Sequence, residues 1–557
     1  MRLGFRYTVL ILLFTVGIAR SQEKTGTEKK EPEARRVELP AEQNPTLPKI
    51  ELPEFVITGI AQLSIPDVQK NGVEERSFLA NLSAYGATVG ARERETIELE
   101  NRQKEFLAMQ QSPVLNGQLR ASLGNYFTPR VHIWLGTLTP EYDYQGEASY
   151  HRTKGYAANT DRSGGSASVK GGITFMAGAL QGGRLGGDAA WSTENYRFFG
   201  STTPTARRTH TNALFGASIT SSSTSRVYWN ATLGYRYDTV DDNGIGTQQH
   251  RASAQGVVDV PLDPVALRGF LGYRNASLSG TLTESLSLFD VGLGTSRYWL
   301  NKFFVQGSAR LFVAKGMLNQ GFTRIYPDVS VGYLLENMHL ISLTYTGALE
   351  FLDLPTALAW HPYLAAGTVY RHSDRARQAM AAVESDWSPS LRTKLTAAYE
   401  EVYDYPLYSD PLKVGIGQLT YGGKTRILSF RAEGFAKFTP NDYVGTKLLV
   451  RSTKNSVTQL AVPYLPVVEV VGTYTHAFPF GLNTSLQATY RGPQETDLVT
   501  SQKLAGYFVV DLVADYELFS SLRLFLNLHN ITNKRYELWR GYQAPPFLIS
   551  AGASYRW

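Results

Sequence analysis

The sequence predicts an all-β protein: a transmembrane antiparallel up-and-down β-barrel of about 22 strands, preceded by a short N-terminal segment containing one helix. Three observations lead there. The chain closes on an alternating strand, a long loop and a second alternating strand, in which Phe547, Ile549, Ala551, Ala553, Tyr555 and Trp557 fall on one face and Ser550, Gly552, Ser554 and Arg556 on the other. A strand with lipid on one side and a polar lumen on the other needs that period of two. Beyond the first residues no stretch is apolar enough to cross a bilayer as a helix, and the mean hydropathy is -0.21. A membrane protein without membrane helices is a closed barrel, because hydrocarbon offers no partner for unpaired backbone groups.

At the N-terminus, Arg2 and Arg6 precede an apolar run from Val9 to Ala19 and small residues around Ser21. This predicts a cleaved signal peptide over 1–21, since the run falls well short of the roughly 20 residues of a spanning helix. Residues 22–50 are rich in Lys, Glu, Pro and Gln with almost no large apolar side chain. Such a composition cannot offset chain entropy by burial, so a disordered periplasmic tail is expected. Residues 51–116 form a small N-terminal segment, a reduced plug or a periplasmic element. In it Glu54, Phe55, Val56, Ile57, Thr58 and Gly59 read as a short strand. A helix is predicted over 92–109, where Glu98 faces Arg102 and Glu100 faces Lys104 at four-residue spacing. Its apolar members make no clean stripe, which suits a loosely docked element in the lumen or the periplasm.

The barrel is expected over 117–557. Val227, Trp229, Ala231, Leu233, Tyr235 and Tyr237 alternate with Tyr228, Asn230, Thr232, Gly234 and Arg236, and Leu343, Tyr345, Gly347, Leu349 and Phe351 with Ser342, Thr344, Thr346 and Glu350. Phe508, Val510, Leu512, Ala514 and Tyr516 oppose Asp511 and Asp515, and Leu522, Leu524, Leu526 and Leu528 oppose Arg523, Asn527 and His529. A soluble sandwich also alternates, but charges on the second face and aromatics at strand ends favour a barrel in lipid. Tight turns at 222–225, 336–338, 479–481 and 519–521 each precede a strand and a longer connection, near 239–249, 352–361, 491–504 and 530–546. Short periplasmic turns and long outer loops are the outer-membrane topology. The phase runs the last strand toward the periplasm and implies an even strand number. The paired glycines at 164–165, 171–172, 182–183 and 186–187 are read as strand kinks.

With 557 residues and no cysteine, disulfide frameworks and thiolate metal sites are excluded together. The net charge of +6 includes Arg2, Arg6 and Arg20; without these three it is about +3, too little to argue for a nucleic-acid partner. The nine histidines never come at metal-ligand spacing, and no phosphate-cradling loop or nucleophile motif occurs. No catalytic residue, metal or cofactor is expected, and the protein is read as not an enzyme. In the loop after 401, Tyr403, Asp404, Tyr405 and Tyr408 are candidate outer-loop ligand contacts, because tyrosine with aspartate suits stacking on a polar ligand.

The run Asn527, Leu528, His529, Asn530, Ile531, Thr532, Asn533, Lys534, Arg535, Tyr536, with the aromatic last residue, resembles the C-terminal end of TonB-dependent receptors. Asn527, Asn530, Asn533, Lys534 and Tyr536 carry that motif. Ser550, Gly552, Tyr555 and Trp557 match the spacing of the C-terminal signal read by the outer-membrane insertion machinery. The resemblance implies a transporter or channel moving or capturing a solute at the outer membrane. The family's plug is longer than 51–116 allows, so a missing or reduced plug is implied and energised uptake through TonB lacks its moving part. The alternative is a non-transporting barrel, a structural subunit or docking platform for a partner protein at its periplasmic or outer face.

Overall fold

The computed structural model describes residues 117–557, except 140, 223–224, 263–264, 319, 336–337, 411 and 499–501. The expectations for 1–21, 22–50 and 51–116, including the helix at 92–109, lie outside the described residues. From Gly117 to Arg556 the chain forms one antiparallel sheet in which each wall strand pairs with its sequence neighbours. The sheet closes on itself: Gly117–Gly124 pairs with Leu548–Arg556, Gln118 opposite Arg556 and Gly124 opposite Ser550. Setting aside Tyr298–Leu300, a short hairpin arm that pairs only with Phe303–Lys315, the wall has 22 strands. Closure removes the exposed edges that an open sheet would present.

Period-two alternation sorts the wall into two solvents. The outer face carries Leu233 at 63%, Ile325 at 69% and Leu293 at 72% exposure, with Phe215, Leu343, Leu428 and Phe508 in the same band. A continuous apolar surface of that kind would be untenable in water and is what a barrel in hydrocarbon requires. The inner face carries charge, and the charges are paired across strands. Arg162 Nε donates to Glu194 (2.8 Å) and Arg268 Nε to Asp259 (2.6 Å). Arg184 and Asp143 pair in the same way. Lipid excludes such groups, so they fix which face is the lumen.

The longest connections all lie at one end. At the short-turn end the links include 389–390, 440–441, 478–481 and 520–521, and at the opposite end they include 351–372, 404–423, 456–467, 492–506 and 530–547. One predicted long connection is corrected. Residues 239–249 are not a loop: Tyr228–Asp242 and Ile245–Leu262 meet at a two-residue turn, with Asn243 at φ 54° and Gly244 at φ 90°. An Asn-Gly pair at positive φ matches the twist of a hairpin, so polar residues there extend two strands instead of leaving them. Likewise Gly182, at φ 76°, sits in the turn 175–183 and not in a kinked strand. Gly171 and Gly172 do lie in a strand, opposite Gly187 and Gly186.

The register also shifts at several points, one of them beside the long loops. Between Thr346 and Ala348 the register of His339–Glu350 against Ser373–Ser388 shifts. A bulge re-aims the side chains beyond it, and Leu349 and Phe351, read as lipid-facing, are buried in the interior cluster. The C-terminal glycine of the closing strand has a packing reason of its own. A Cβ on Gly552 would collide with the carbonyl oxygen of Ala121 and the Phe525 ring, so the seam admits only glycine there.

Candidate functional site

At the long-loop end the inner wall stops being polar. Val240, Ala276, Leu278, Leu286, Leu288, Phe312 and Ala314 point inward there and are almost fully buried. What covers them is a set of loops that fold across the mouth. The longest, 351–372, contains the one helix among the described residues, Leu354–Trp360. Asp353 caps it, accepting from Thr356 N (3.2 Å), and Pro355 suits the first turn because a missing N–H costs nothing there. Being fully buried, Asp353 needs further partners. Arg251 Nη1 (2.9 Å) and Gln249 Nε2 (3.1 Å) donate to its other oxygen, and Gln249 Oε1 accepts from Leu354 N (2.9 Å). The helix start is thereby bolted to the wall strand Ile245–Leu262.

The far end of the same loop is held on Arg207–Thr220. Arg208, with no exposed surface, donates to Asp242 through Nε (2.6 Å) and Nη2 (2.5 Å), and also to the carbonyls of Pro362 (2.7 Å) and Leu364 (2.6 Å). Tyr196 Oη donates to Pro362 O (2.7 Å) and Thr247 Oγ1 to Ala366 O (3.0 Å). A loop rooted after His339–Glu350, the thirteenth wall strand, is thus tied to the sixth and eighth. It crosses the opening instead of fringing it.

Other loops complete the cover. His361 stacks on Tyr408 at 4.1 Å between ring centroids and packs on Trp539 at 3.7 Å, with Tyr464 against both Tyr408 and Trp539. Tyr363 stacks on Tyr542 at 3.6 Å, and Phe199 meets Tyr542 edge-on at 5.0 Å. These rings come from the loops 198–206, 351–372, 404–423, 456–467 and 530–547. Backbone bonds join two of them: Ala365 N donates to Gly417 O (2.8 Å) and Gly417 N to Tyr363 O (3.0 Å). Three loops touch backbone to backbone at Gly200, Gly415 and Gly541, the last two at φ 77° and 82°. A Cβ on Gly415 would lie 2.6 Å from Gly200 O, so the contact closes only because all three lack side chains.

The predicted ligand contacts are placed unevenly. Tyr403 ends the strand Leu391–Tyr403 with its ring on the outer surface. Asp404, at φ 50°, accepts from Gln320 Nε2 (2.9 Å) and lies 3.9 Å from Arg371. Tyr405 and Tyr408 are buried within the cover itself. Burial pushes both hydroxyls well above the usual tyrosine range. Sequence reasoning missed Arg208, Asp353, His361 and Trp539, the residues that hold the cover in place.

The C-terminal motif turns out to stitch the last long loop. Asn530, at φ 51°, accepts from Lys534 N (3.0 Å) and Thr532 Oγ1 (3.0 Å), and its amide donates to Lys534 O (2.9 Å) and Pro545 O (3.2 Å). Asn533, at φ 47°, accepts from Phe547 N (3.1 Å), and Tyr536 stacks on Tyr507 at 4.0 Å. Asparagine tolerates the left-handed region and supplies both donor and acceptor, which explains its recurrence. Asn527 reaches Ser550 Oγ at 3.4 Å inside the seam strands. Nearby, Gln118 Nε2 donates to Ser554 Oγ (2.6 Å).

His361 makes the cover sensitive to acid. Burial holds its imidazole well below the ordinary histidine range, Nδ1 accepts from Tyr363 N (3.1 Å), and Nε2 finds no hydrogen-bond partner. The closed form therefore needs the neutral ring, while an opened loop exposes a histidine of ordinary pKa, about 6.5. Stability of closure is complete above that value and falls as pH drops through it, by about 1.4 kcal/mol for each further unit until the buried ring itself protonates. Amide exchange at Ala365 and Gly417 is expected to be constant, after correction for intrinsic rate, from pH 8 to 7 and faster at pH 5; His361→Phe should weaken the dependence, leaving the part contributed by His372, which burial in the same loop also holds below the ordinary histidine range.

A closed 22-stranded antiparallel barrel with an apolar outer band, a charged lumen and its longest loops at one end is an outer-membrane β-barrel. Within that class its fold is that of the TonB-dependent receptor barrels. The FrpB iron transporter from Neisseria meningitidis superposes with a TM-score of 0.65 at 12% identity, over 80% of this chain and 82% of that one. The ferric-catecholate import receptor Fiu from E. coli K12 gives 0.61 at 10% identity, over 80% and 82%, and the copper transporter OprC gives 0.63 at 14%, over 80% and 81%. At such identities the likeness is one of fold. No family model and no curated protein matches the sequence.

Proposed function

We propose that the protein moves or captures a solute across the outer membrane, as a barrel of the TonB-dependent receptor type whose outer mouth is gated by its own loops. The observation that carries this reading is the pairing of a charged lumen with a separately packed cover. A barrel serving only as a platform has no use for a polar interior. The cover supplies the gate, and Asp404, Tyr405 and Tyr408 become ligand contacts when it opens, Tyr408 by exchanging its ring partners for the solute, whereas Tyr403, whose ring faces out of the barrel, stays outside that path. Insertion machinery would read Ser550, Gly552, Tyr555 and Trp557, and the residues at 51–116 would act as a reduced plug.

Solute flux into liposomes tests the proposal. The full chain, a variant with 353–366 replaced by a short Gly-Ser link, and that variant also lacking 51–116 are compared. Flux should be negligible for the first and appear in the second or third. Should all three remain tight, the barrel has no path, and the alternative of a structural subunit or docking platform takes over.

A further inference from the structure

One row of side chains on the outside of the barrel does not suit hydrocarbon. Cross-strand register places Arg377 opposite Glu401, Glu401 opposite Arg426 and Arg426 opposite Lys454. Directly opposed residues in an antiparallel sheet share a face. Here it is the outer one, since Tyr399, Leu428 and Val450 on the same faces of these strands are exposed, while Glu400, Val402, Ile427 and Arg451 on the opposite faces are buried. Lys424, opposite Tyr403, joins the group one row nearer the loops.

Glu401 is the hub: Arg377 Nε lies 3.1 Å, Lys424 Nζ 3.0 Å and Arg426 Nε 3.4 Å from its carboxylate, and Tyr399 Oη donates to it at 2.7 Å. Four cations against one carboxylate leave a surplus of three positive charges on one small area of wall. The carboxylate is buried beneath them, while Arg377 and Arg426 keep 57% and 61% of their side chains exposed. Each guanidinium therefore still presents donors outward, in the fork geometry that suits phosphate.

Height on the wall identifies the occupant. Leu428 and Phe430 follow Arg426 on the same outward face and belong to the lipid-facing band. Two residues of strand span roughly 7 Å, so the cations stand just above the last lipid-facing leucine, at headgroup level. They lie at the long-loop end, which faces outward. Elsewhere on the rim the matching outward row reads Thr239, Gln248 and Ser279, neutral throughout.

We infer that the outward face built by Arg377, Lys424, Arg426 and Lys454 around Glu401 is a binding site for the phosphate groups of an outer-leaflet glycolipid. Glu401 keeps four like charges together in the absence of lipid, and acyl chains below the phosphates lie along Leu395, Leu428 and Phe430. The site is independent of what, if anything, passes through the lumen.

Native mass spectrometry of the full chain in detergent, supplied with bis-phosphorylated lipid A or with the same lipid stripped of phosphate, tests this. The wild type should retain the phosphorylated form roughly tenfold or more in preference. The combined variant Arg377→Gln, Arg426→Gln, Lys454→Gln should retain both forms equally while keeping the compact unheated band of a folded barrel on gels. Glu401→Gln, which adds one net positive charge, should keep or raise the preference and reports even if the combined variant fails to fold. Equal retention of both lipids by the wild type, a preference that survives the combined substitution or falls with Glu401→Gln, or stripping by equimolar inorganic phosphate would each overturn the assignment.

Discussion

Arg208→Met is expected to release the outer loops from the barrel wall. The substitution leaves Asp242 facing an apolar side chain and takes the donors from the carbonyls of Pro362 and Leu364. Removing one partner of a buried ion pair costs about 3–5 kcal/mol, most of it the price of the orphaned charge. The barrel itself should survive, because its strands are held by their own ladder from Arg207–Thr220 onward. The loss falls on closure of 351–372. Amide exchange at Ala365 and Gly417, which pair with each other's loops, should accelerate roughly 100-fold or more, with strand amides unchanged. An unchanged rate would mean that Arg208 is incidental to closure.

Trp539→Ala should have an effect of similar size from another part of the rim. Trp539 fills the space between His361, Tyr408 and Tyr464, so truncation opens a cavity at the point where three other loops meet. Loss of a buried tryptophan costs about 3–5 kcal/mol, depending on how far the site collapses. Because Trp539 belongs to the loop 530–547, it touches neither the helix cap nor the Arg208 tether. If the loops form one cooperative cover, this change accelerates exchange at Ala365 as Arg208→Met does. Acceleration confined to 530–547 would instead describe loops that open independently.

Much of the fold was legible because a wall between lipid and water leaves little freedom. Every strand that faces hydrocarbon must alternate, and the strand number follows from length alone. The outer mouth obeys no such rule. In Glu284–Thr295, Phe289, Val291 and Leu293 face outward while Leu286 and Leu288 face inward. Apolar residues on both faces of one strand are the signal that something covers the inside, and a reading that scores only one face passes over it. The aromatic contacts of His361 with Tyr408 and Trp539 leave no local pattern, since the partners are far apart in sequence. Tyr405 and Tyr408 attracted notice as tyrosines beside aspartates, a pattern equally suited to a packed loop and a ligand surface. The bulge after Thr346 and the Asn243-Gly244 turn are single-residue events that reset phase, and periodicity cannot anticipate them.

Closure of the outer mouth is tested most directly by labelling a reporter thiol in intact cells, a clean experiment because the chain has no cysteine of its own. Thr232→Cys places the thiol on the lumen face of Tyr228–Asp242, below the cover, and Lys413→Cys places one in an exposed loop at the rim. With a membrane-impermeant maleimide added outside, Lys413→Cys should label quickly and Thr232→Cys only when combined with Arg208→Met. Equal labelling of the two thiols in the otherwise unaltered chain would show an open mouth and contradict the account.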